Sequence, residues 1–445
     1  MFRSGRACAS RVRALLPLAA IAVLAAACSE GGNYPQTTFR PVSEYGEKLN
    51  AVFYNTTAWT VGIMFLVFGL LTYIVWRFRE RPNQPPPKQI HGNTKLEILW
   101  TTIPAIIIVI IAVPTILTIF DTQREAPDEA LTIEVIGHQW WWEFRYPEEG
   151  IVAANQFYVP VDRPVELRMH SADVIHSFWI PRIGGKRDVN PQPAPAEGQG
   201  RHTNQILFTV HEEGVYLGQC AEFCGMSHGI MRMVAHAVAP EAFDAWVEDM
   251  RSGATAADRT VRLARTTPAT LPVGDTTGAV TQFADSAPPR VQPQASPALP
   301  QDVATADVQS PTPAQLQPGA IPPPTGLGPQ RPPVPAFMVP GAKTDAELGR
   351  DVFMTKACVA CHAIAGTPAQ GALGPVLTRF GARPWVGAGA ARNTIDNVQE
   401  WIRDPQSIKA GTLMPGAATP GGGMPPTNLT DEEIRLVATY LMSLK

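Results

Sequence analysis

The sequence predicts a multidomain fold: a two-helix transmembrane hairpin, a small antiparallel β-sandwich or barrel, a disordered Pro-rich linker and an all-α C-terminal module. Three observations lead there. Two long apolar stretches carry no charge, short alternating runs follow them, and 44 prolines among 445 residues argue for separate pieces joined by tethers. The net charge of −3 is close to neutral and the basic residues form no long tail, so no nucleic-acid partner is expected.

The chain opens MFRSGRACASRVRALLPLAAIAVLAAACSE, with Arg3, Arg6, Arg11 and Arg13 ahead of a short apolar run that ends in small residues. That is the layout of an export signal over residues 1–27. Cys28 is then either the lipid-modified first residue of a bacterial lipoprotein or a neighbour of an ordinary cleavage site, since Ala25 stands where such lipoproteins usually carry leucine. A transmembrane hairpin is expected over residues 45–122. The runs AVFYNTTAWTVGIMFLVFGLLTYIVW and ILWTTIPAIIIVIIAVPTILTIF, in helices of about 51–77 and 98–120, each reach the roughly 20 residues that a spanning helix needs. Arg77, Arg79, Arg81, Lys88 and Lys95 between them place the connection in the cytoplasm by the positive-inside rule. Everything after Phe120 then faces the periplasm of a bacterial inner membrane, as the export signal also requires.

From 126 to 250 the pattern changes to LTIEVIGHQWWWEFRY, NQFYVP, PVELRMHS, QILFTV, GVYLGQC and RMVAHAVA, separated by Pro, Gly and Asp turns. Such alternation predicts the β-sandwich or barrel, of about 120 residues. Near its end, CAEFCGMSHGIM sets Cys220 and Cys224 at C-x3-C spacing, followed by His228 and Met231, and VIHSFWIP supplies His176 from an earlier loop. Three readings fit these side chains. Zinc takes closed tetrahedral Cys and His sets, the two cysteines can pair as a disulfide in an oxidising compartment, and copper accepts thiolate, thioether and imidazole together. Met231 favours copper, because a thioether at a set spacing has no place in a zinc site.

These residues resemble subunit II of the haem-copper cytochrome oxidases. The resemblance rests on CAEFCGMSHGIM, VIHSFWIP, GHQWWWEF and the hairpin, and spans roughly Tyr45 to Met250. It implies a cupredoxin-like domain with a binuclear copper centre, CuA, held by His176, Cys220, the backbone carbonyl of Glu222, Cys224, His228 and Met231. It further implies that the Glu222 side chain meets a magnesium or manganese ion shared with subunit I, and that Trp140 admits electrons from cytochrome c. Glu97, in HGNTKLEILWTTIP, aligns with the family's carboxylate at the mouth of a proton path into subunit I. Trp141 and Trp142 are expected to pack in the core, and His138, His170, His202, His211 and His236 have no second ligand at metal spacing. One departure from the family is DVNPQPAPAEGQGRHTNQILF, which is longer than its usual tight connection.

Residues 251–340 are rich in Pro, Ala, Gln and Thr and cannot bury a core. As a flexible tether of about 90 residues this segment reaches roughly 50 Å root mean square. The module at 341–445 opens TDAELGRDVFMTKACVACHAIAG, whose C-x-x-C-H is the attachment signal for c-type haem: Cys358 and Cys361 form thioethers and His362 is one axial ligand. A thioredoxin-type pair is the competing reading, which the adjoining histidine disfavours. The second axial ligand is expected from Met414 in IKAGTLMPG or Met424 in GGGMPP; RDPQSIKAGTLMP resembles the ligand loop of class I cytochromes c, which favours Met414. Thr344 with Glu347, and Thr430 with Glu433, read as capping boxes opening two terminal helices, with the haem expected between them. Gly374-Pro375 resembles the family's haem-edge turn, and Trp401 is a candidate cover for the porphyrin.

Together the modules resemble subunit II of oxidases with a built-in cytochrome c, the caa3 type. The resemblance implies the electron-input subunit of a proton-pumping cytochrome-c oxidase, passing electrons from haem c to CuA and on to the haem-copper centre of subunit I, where oxygen becomes water. No catalytic residue for that reduction is expected in this chain. Expected partners are subunit I, subunit III and an upstream donor, either a quinol-oxidising complex or a small cytochrome c. A subunit feeding nitric oxide or nitrous oxide reduction and a membrane-anchored electron carrier are the other classes; Glu97 and the hairpin favour the oxygen reductase.

Overall fold

The computed structural model describes residues 35–82, 89, 92–191, 204–253 and 343–445. The expected export signal, Cys28, His202, most of the linker and most of the long connection after Val189 lie outside the described residues. Helices α1 (Glu44–Arg77) and α2 (Thr94–Thr122) form the hairpin, and side chains such as Phe65, Leu66, Trp76, Ile108 and Leu117 stand more than half exposed on it. So large an apolar surface needs a lipid neighbour. Both helices begin earlier than the uncharged runs, at Glu44 rather than Ala51 and at Thr94 rather than Ile98. The side chains of Ser43 and Asn93 accept hydrogen bonds from the amides of Gly46 and Leu96, so each cap starts a polar turn ahead of the apolar stretch.

The first turn of α1 is tied into the next domain. Val42 N donates to the Arg182 carbonyl at 2.9 Å, Thr209 N donates to the Glu44 carboxylate at 2.6 Å, and the Tyr45 ring lies so close to Gly184 that a Cβ there would sit 2.2 Å from it. Lys48 pairs with Asp121 and clasps the two helices at the same end.

Among the described residues, ten strands make the β domain: β1 (Leu131–His138), β2 (Trp141–Tyr146), β3 (Ile151–Ala154), β4 (Gln156–Pro160), β5 (Val165–Ser171), β6 (His176–Trp179), β7 (Arg187–Val189), β8 (Asn204–Phe208), β9 (Gly214–Cys220) and β10 (Arg232–Val238). They form two five-stranded sheets, β3-β2-β1-β5-β8 and β4-β10-β9-β6-β7. Most pairings are antiparallel, but β1 with β5 and β4 with β10 run parallel. Between the sheets Phe144 stacks on Phe157 at 4.4 Å and Trp142 meets Phe178 edge-on at 5.6 Å. The run LTIEVIGHQWWWEFRY divides into a hairpin whose turn is Gln139 and Trp140, with His138 opposite Trp141. His176 does not lie on a loop as the sequence led us to expect; it opens β6, opposite Val189. Its strand is too short to show an alternating pattern alone and exists through pairing with β7 and β9, a non-local cause. Helix α3 (Pro240–Ser252) covers the sandwich with Phe243, Trp246, Val247 and Met250.

The C-terminal module contains α4 (Asp345–Thr355), α5 (Cys358–Cys361), α6 (Ile395–Arg403), α7 (Pro405–Ile408) and α8 (Asp431–Ser443). Both capping boxes form: Thr344 and Thr430 each accept from the backbone N–H of the glutamate three residues on, which reaches back to the cap. The haem does not fit between α4 and α8, because these helices cross in direct contact. A Cβ at Gly349 would sit 2.0 Å from the Leu436 carbonyl oxygen and 3.0 Å from Tyr440. No rotamer relieves a clash between a Cβ and backbone. Gly349→Ala is therefore expected to cost the module about 1–3 kcal/mol despite alanine's better helix propensity. Guanidinium unfolding followed by haem-region circular dichroism checks this, and an unmoved midpoint would contradict it.

Candidate metal centres

Strand order brings the sulfur and nitrogen donors together. Cys220 ends β9, His176 opens the adjacent β6, and the turn from 221 to 231 carries Cys224, His228 and Met231 back to β10. Cys220 Sγ lies 3.8 Å from Cys224 Sγ and 3.9 Å from His176 Nδ1. Cys224 Sγ in turn lies 3.6 Å from His228 Nδ1 and 3.8 Å from Met231 Sδ, and the Glu222 carbonyl is 3.3 Å from Cys220 Sγ. Each sulfur thus has its own imidazole, and the sulfurs face each other. That donor set suits two soft ions sharing two thiolates better than one tetrahedral ion. The sulfurs are also far beyond the roughly 2.05 Å of a disulfide. Contact with Cys224 pulls the Cys220 thiol well below the ordinary thiol range, helped by His176, and the same contact pushes Cys224 up. A bound cation would release the proton this pair retains.

The surroundings hold the donors in place. His176 is fully buried, and its Nε2 meets Asp173 Oδ1 at 2.8 Å, which leaves Nδ1 facing the sulfur. Burial alone lowers the His176 pKa, yet Asp173 and Cys220 outweigh it and the net shift is upward. Gly137 admits the ring: a Cβ there would lie 2.7 Å from His176 Cδ2. Trp140 is buried, and its indole N–H donates to the Cys224 carbonyl at 2.9 Å, alongside the Gln139 amide at 2.7 Å. Asp173 and Gln139 were not singled out from the sequence. The available signal was an acid three residues before His176 in SADVIH. Asp173→Asn is expected to weaken copper loading by about 10–100-fold while leaving the fold intact. A copper competition titration reads this; unchanged affinity would remove Asp173 from the orienting role.

The other predicted residues divide. Trp142 packs in the core, whereas Trp141 stacks on His138 at 4.2 Å, with His138 against Glu143 at 3.0 Å. His236 stacks on Tyr158, His211 meets Asp162, and His170 is buried. Glu222 is half-buried. Glu97 lies in the first turn of α2, exposed, where its carboxylate accepts from the Asn93 amide at 3.2 Å.

In the C-terminal module, His362 Nδ1 meets the Pro375 carbonyl at 2.8 Å, which makes Nδ1 the donor and leaves Nε2 free for iron. Gly374 lets the ring approach, since a Cβ there would be 2.7 Å from His362 Cε1. Cys358 packs against the module's core, where burial raises its thiol to about 11. Met414 also packs against that core and its sulfur accepts the Trp401 indole N–H at 3.2 Å. Met424 closes a tight turn on Gly421 instead. A histidine with one free nitrogen beside two half-exposed cysteines fits covalent haem.

Three family descriptions match the chain: "Cytochrome C oxidase subunit II, transmembrane domain" over residues 37–117, "Cytochrome C oxidase subunit II, periplasmic domain" over 148–238, and "Cytochrome c" over 346–445. Cytochrome c oxidase subunit 2 of Alkalihalophilus pseudofirmus is 33% identical over 389 residues, covering 86% of this chain and 83% of that protein. The chain belongs to the cytochrome c oxidase subunit 2 family. The Bacillus subtilis subunit 2 is 25% identical over 456 residues and covers 97% of this chain and 98% of its own length, so the likeness runs through hairpin, β domain and cytochrome c module alike. The solved periplasmic domain of subunit II of cytochrome oxidase from Bradyrhizobium japonicum is 30% identical, covering 28% of this chain and 96% of that one, with a TM-score of 0.25.

Proposed function

We propose that this chain is the electron-input subunit of a respiratory terminal oxidase, feeding a haem-copper subunit I that reduces oxygen to water and pumps protons. One observation carries the reading: a cluster of two buried thiols, a buried and a half-buried imidazole and a buried thioether occurs in one chain with a C-x-x-C-H module that rests against it. When bound, the copper pair and the haem supply reversible one-electron chemistry. The chain's own residues supply a rigid setting for it. Cys220, Cys224, His176, His228, Met231 and the Glu222 carbonyl would hold copper; Cys358 and Cys361 would bind the haem covalently, and His362 and Met414 its iron. Burial of Cys220, Cys224 and Met231 excludes water, which keeps reorganisation small.

Trp140 is the proposed intake residue, supported by its hydrogen bond to the Cys224 carbonyl. The Glu222 side chain is assigned to magnesium or manganese at the subunit I boundary, and Glu97 to the entrance of a proton path. Subunit III and either a quinol-oxidising complex or a small cytochrome c complete the partners, in a bacterial inner membrane with both redox modules in the periplasm. The proposed divisions are an export signal at 1–27, hairpin at 45–122, copper domain at 126–250, linker at 251–340 and cytochrome module at 341–445. The test is metal analysis and electron paramagnetic resonance on the purified complex with oxygen uptake alongside. Two coppers in a shared mixed-valence state, one c-type haem and donor-dependent oxygen uptake are expected. Zinc at the site, or uptake that persists without copper, would overturn the reading.

A further inference from the structure

Lysine 409 is only 3% exposed, although it lies in a loop of the cytochrome module. Its ammonium donates to three backbone carbonyls: Gly387 at 2.8 Å in its own module, and Trp140 at 2.5 Å and Ile230 at 3.4 Å in the copper domain. Three donors therefore meet three acceptors. A cation is retained in so dry a seam only when its protons are taken up, and burial pushes its pKa down to about 7. Next to it, Ser227 Oγ donates to the Ala410 carbonyl at 2.6 Å. Gly411, at φ +80°, lies close against the Trp140 ring, where a Cβ would come within 2.8 Å of Cη2. The contact extends further: Arg232 N donates to the Ala388 carbonyl at 3.0 Å, Trp385 is buried with Leu217 and Val234, and Arg379 pairs with Asp249 at 2.8 Å.

We propose that Lys409 is a positioning residue that locks the cytochrome module onto the copper domain, with the Met414 loop over Trp140. Trp140 is then buried beneath this chain's own module, so a diffusible protein donor is kept off it and must deliver to the cytochrome module. Lys409 and Met414 share one loop, Gly411 between them touches Trp140, and Trp140 touches the Cys224 carbonyl. With haem and copper bound, the pin would set the distance between them, across which one electron would pass from the haem to the copper pair. This inference rests on the function proposed above. Without the pin, the tether still keeps the module at an effective concentration of order millimolar, so contact persists but its geometry is lost.

The test is Lys409→Met in the full chain within its oxidase complex, with Lys343→Met, an exposed lysine, as the charge control. Amide hydrogen exchange at 139–141 and 408–412 is read first, then flash-initiated haem-to-copper transfer. Exchange in both segments is expected to rise about tenfold or more and transfer to slow by about tenfold or more, with copper and haem spectra unchanged. Gly411→Ala wedges the same seam without removing charge and should produce the same pair of changes, so misfolding of one variant does not stand in for the answer. Protection unchanged from the parent in both variants would overturn the proposal. Exchange reports on docking whether or not copper is loaded, so a failure of the copper reading shows separately, as a missing copper signal in the parent complex.

Discussion

Exchanging Cys224 for serine is expected to abolish the copper pair and lower electron delivery to oxygen by roughly 1,000-fold, while the β domain stays folded. Cys224 faces three donors at once: the Cys220 sulfur, the His228 ring and the Met231 thioether. A serine oxygen is hard and is not ionised at neutral pH, so it cannot bridge two soft cations as a thiolate does. The fold should tolerate the change, because the Trp140 and Gln139 side chains bind the backbone carbonyl of Cys224, which serine keeps. Swapping one buried sulfur for a hydroxyl should cost about 1–2 kcal/mol. Copper stoichiometry and oxygen uptake give the primary readout, and thermal unfolding separates loss of the site from loss of the fold. Two coppers retained with normal uptake would place the centre elsewhere.

The second large effect is expected at the haem. Met414→Leu should leave haem covalently attached through Cys358 and Cys361 but lower its reduction potential by on the order of 100 mV or more, because a thioether axial ligand favours ferrous iron. Met424→Leu should leave the potential near that of the parent. The two methionines differ in surroundings: Met414 packs against the module's core with its sulfur held by Trp401, and Met424 serves a surface turn. A thioether held by packing and one hydrogen bond is pre-oriented, whereas Met424 would have to break its turn with Gly421 to reach iron. Redox titration of the c-type band in both variants decides between them. A potential that falls in Met424→Leu and holds in Met414→Leu would reverse the assignment.

What the sequence alone determined is the part of this protein written in local chemistry. Uncharged runs long enough to span a bilayer, the C-x3-C and C-x-x-C-H spacings, and the two capping boxes each depend on residues a few positions apart, and their physics does not wait for the rest of the chain. The fold class followed from the same short-range periods. The tertiary structure decided what depends on residues far apart. It turned the loop around His176 into a strand, paired β1 with β5 in parallel, supplied Asp173 behind the imidazole, and closed α4 against α8 where haem was expected. Trp140 and Cys224 are 84 positions apart, and Lys409 and Trp140 are 269 apart. No window of sequence contains such a pair. Register, a buried partner for a cation and the seating of one module on another come from packing that satisfies many groups at once, and a motif specifies only its own members.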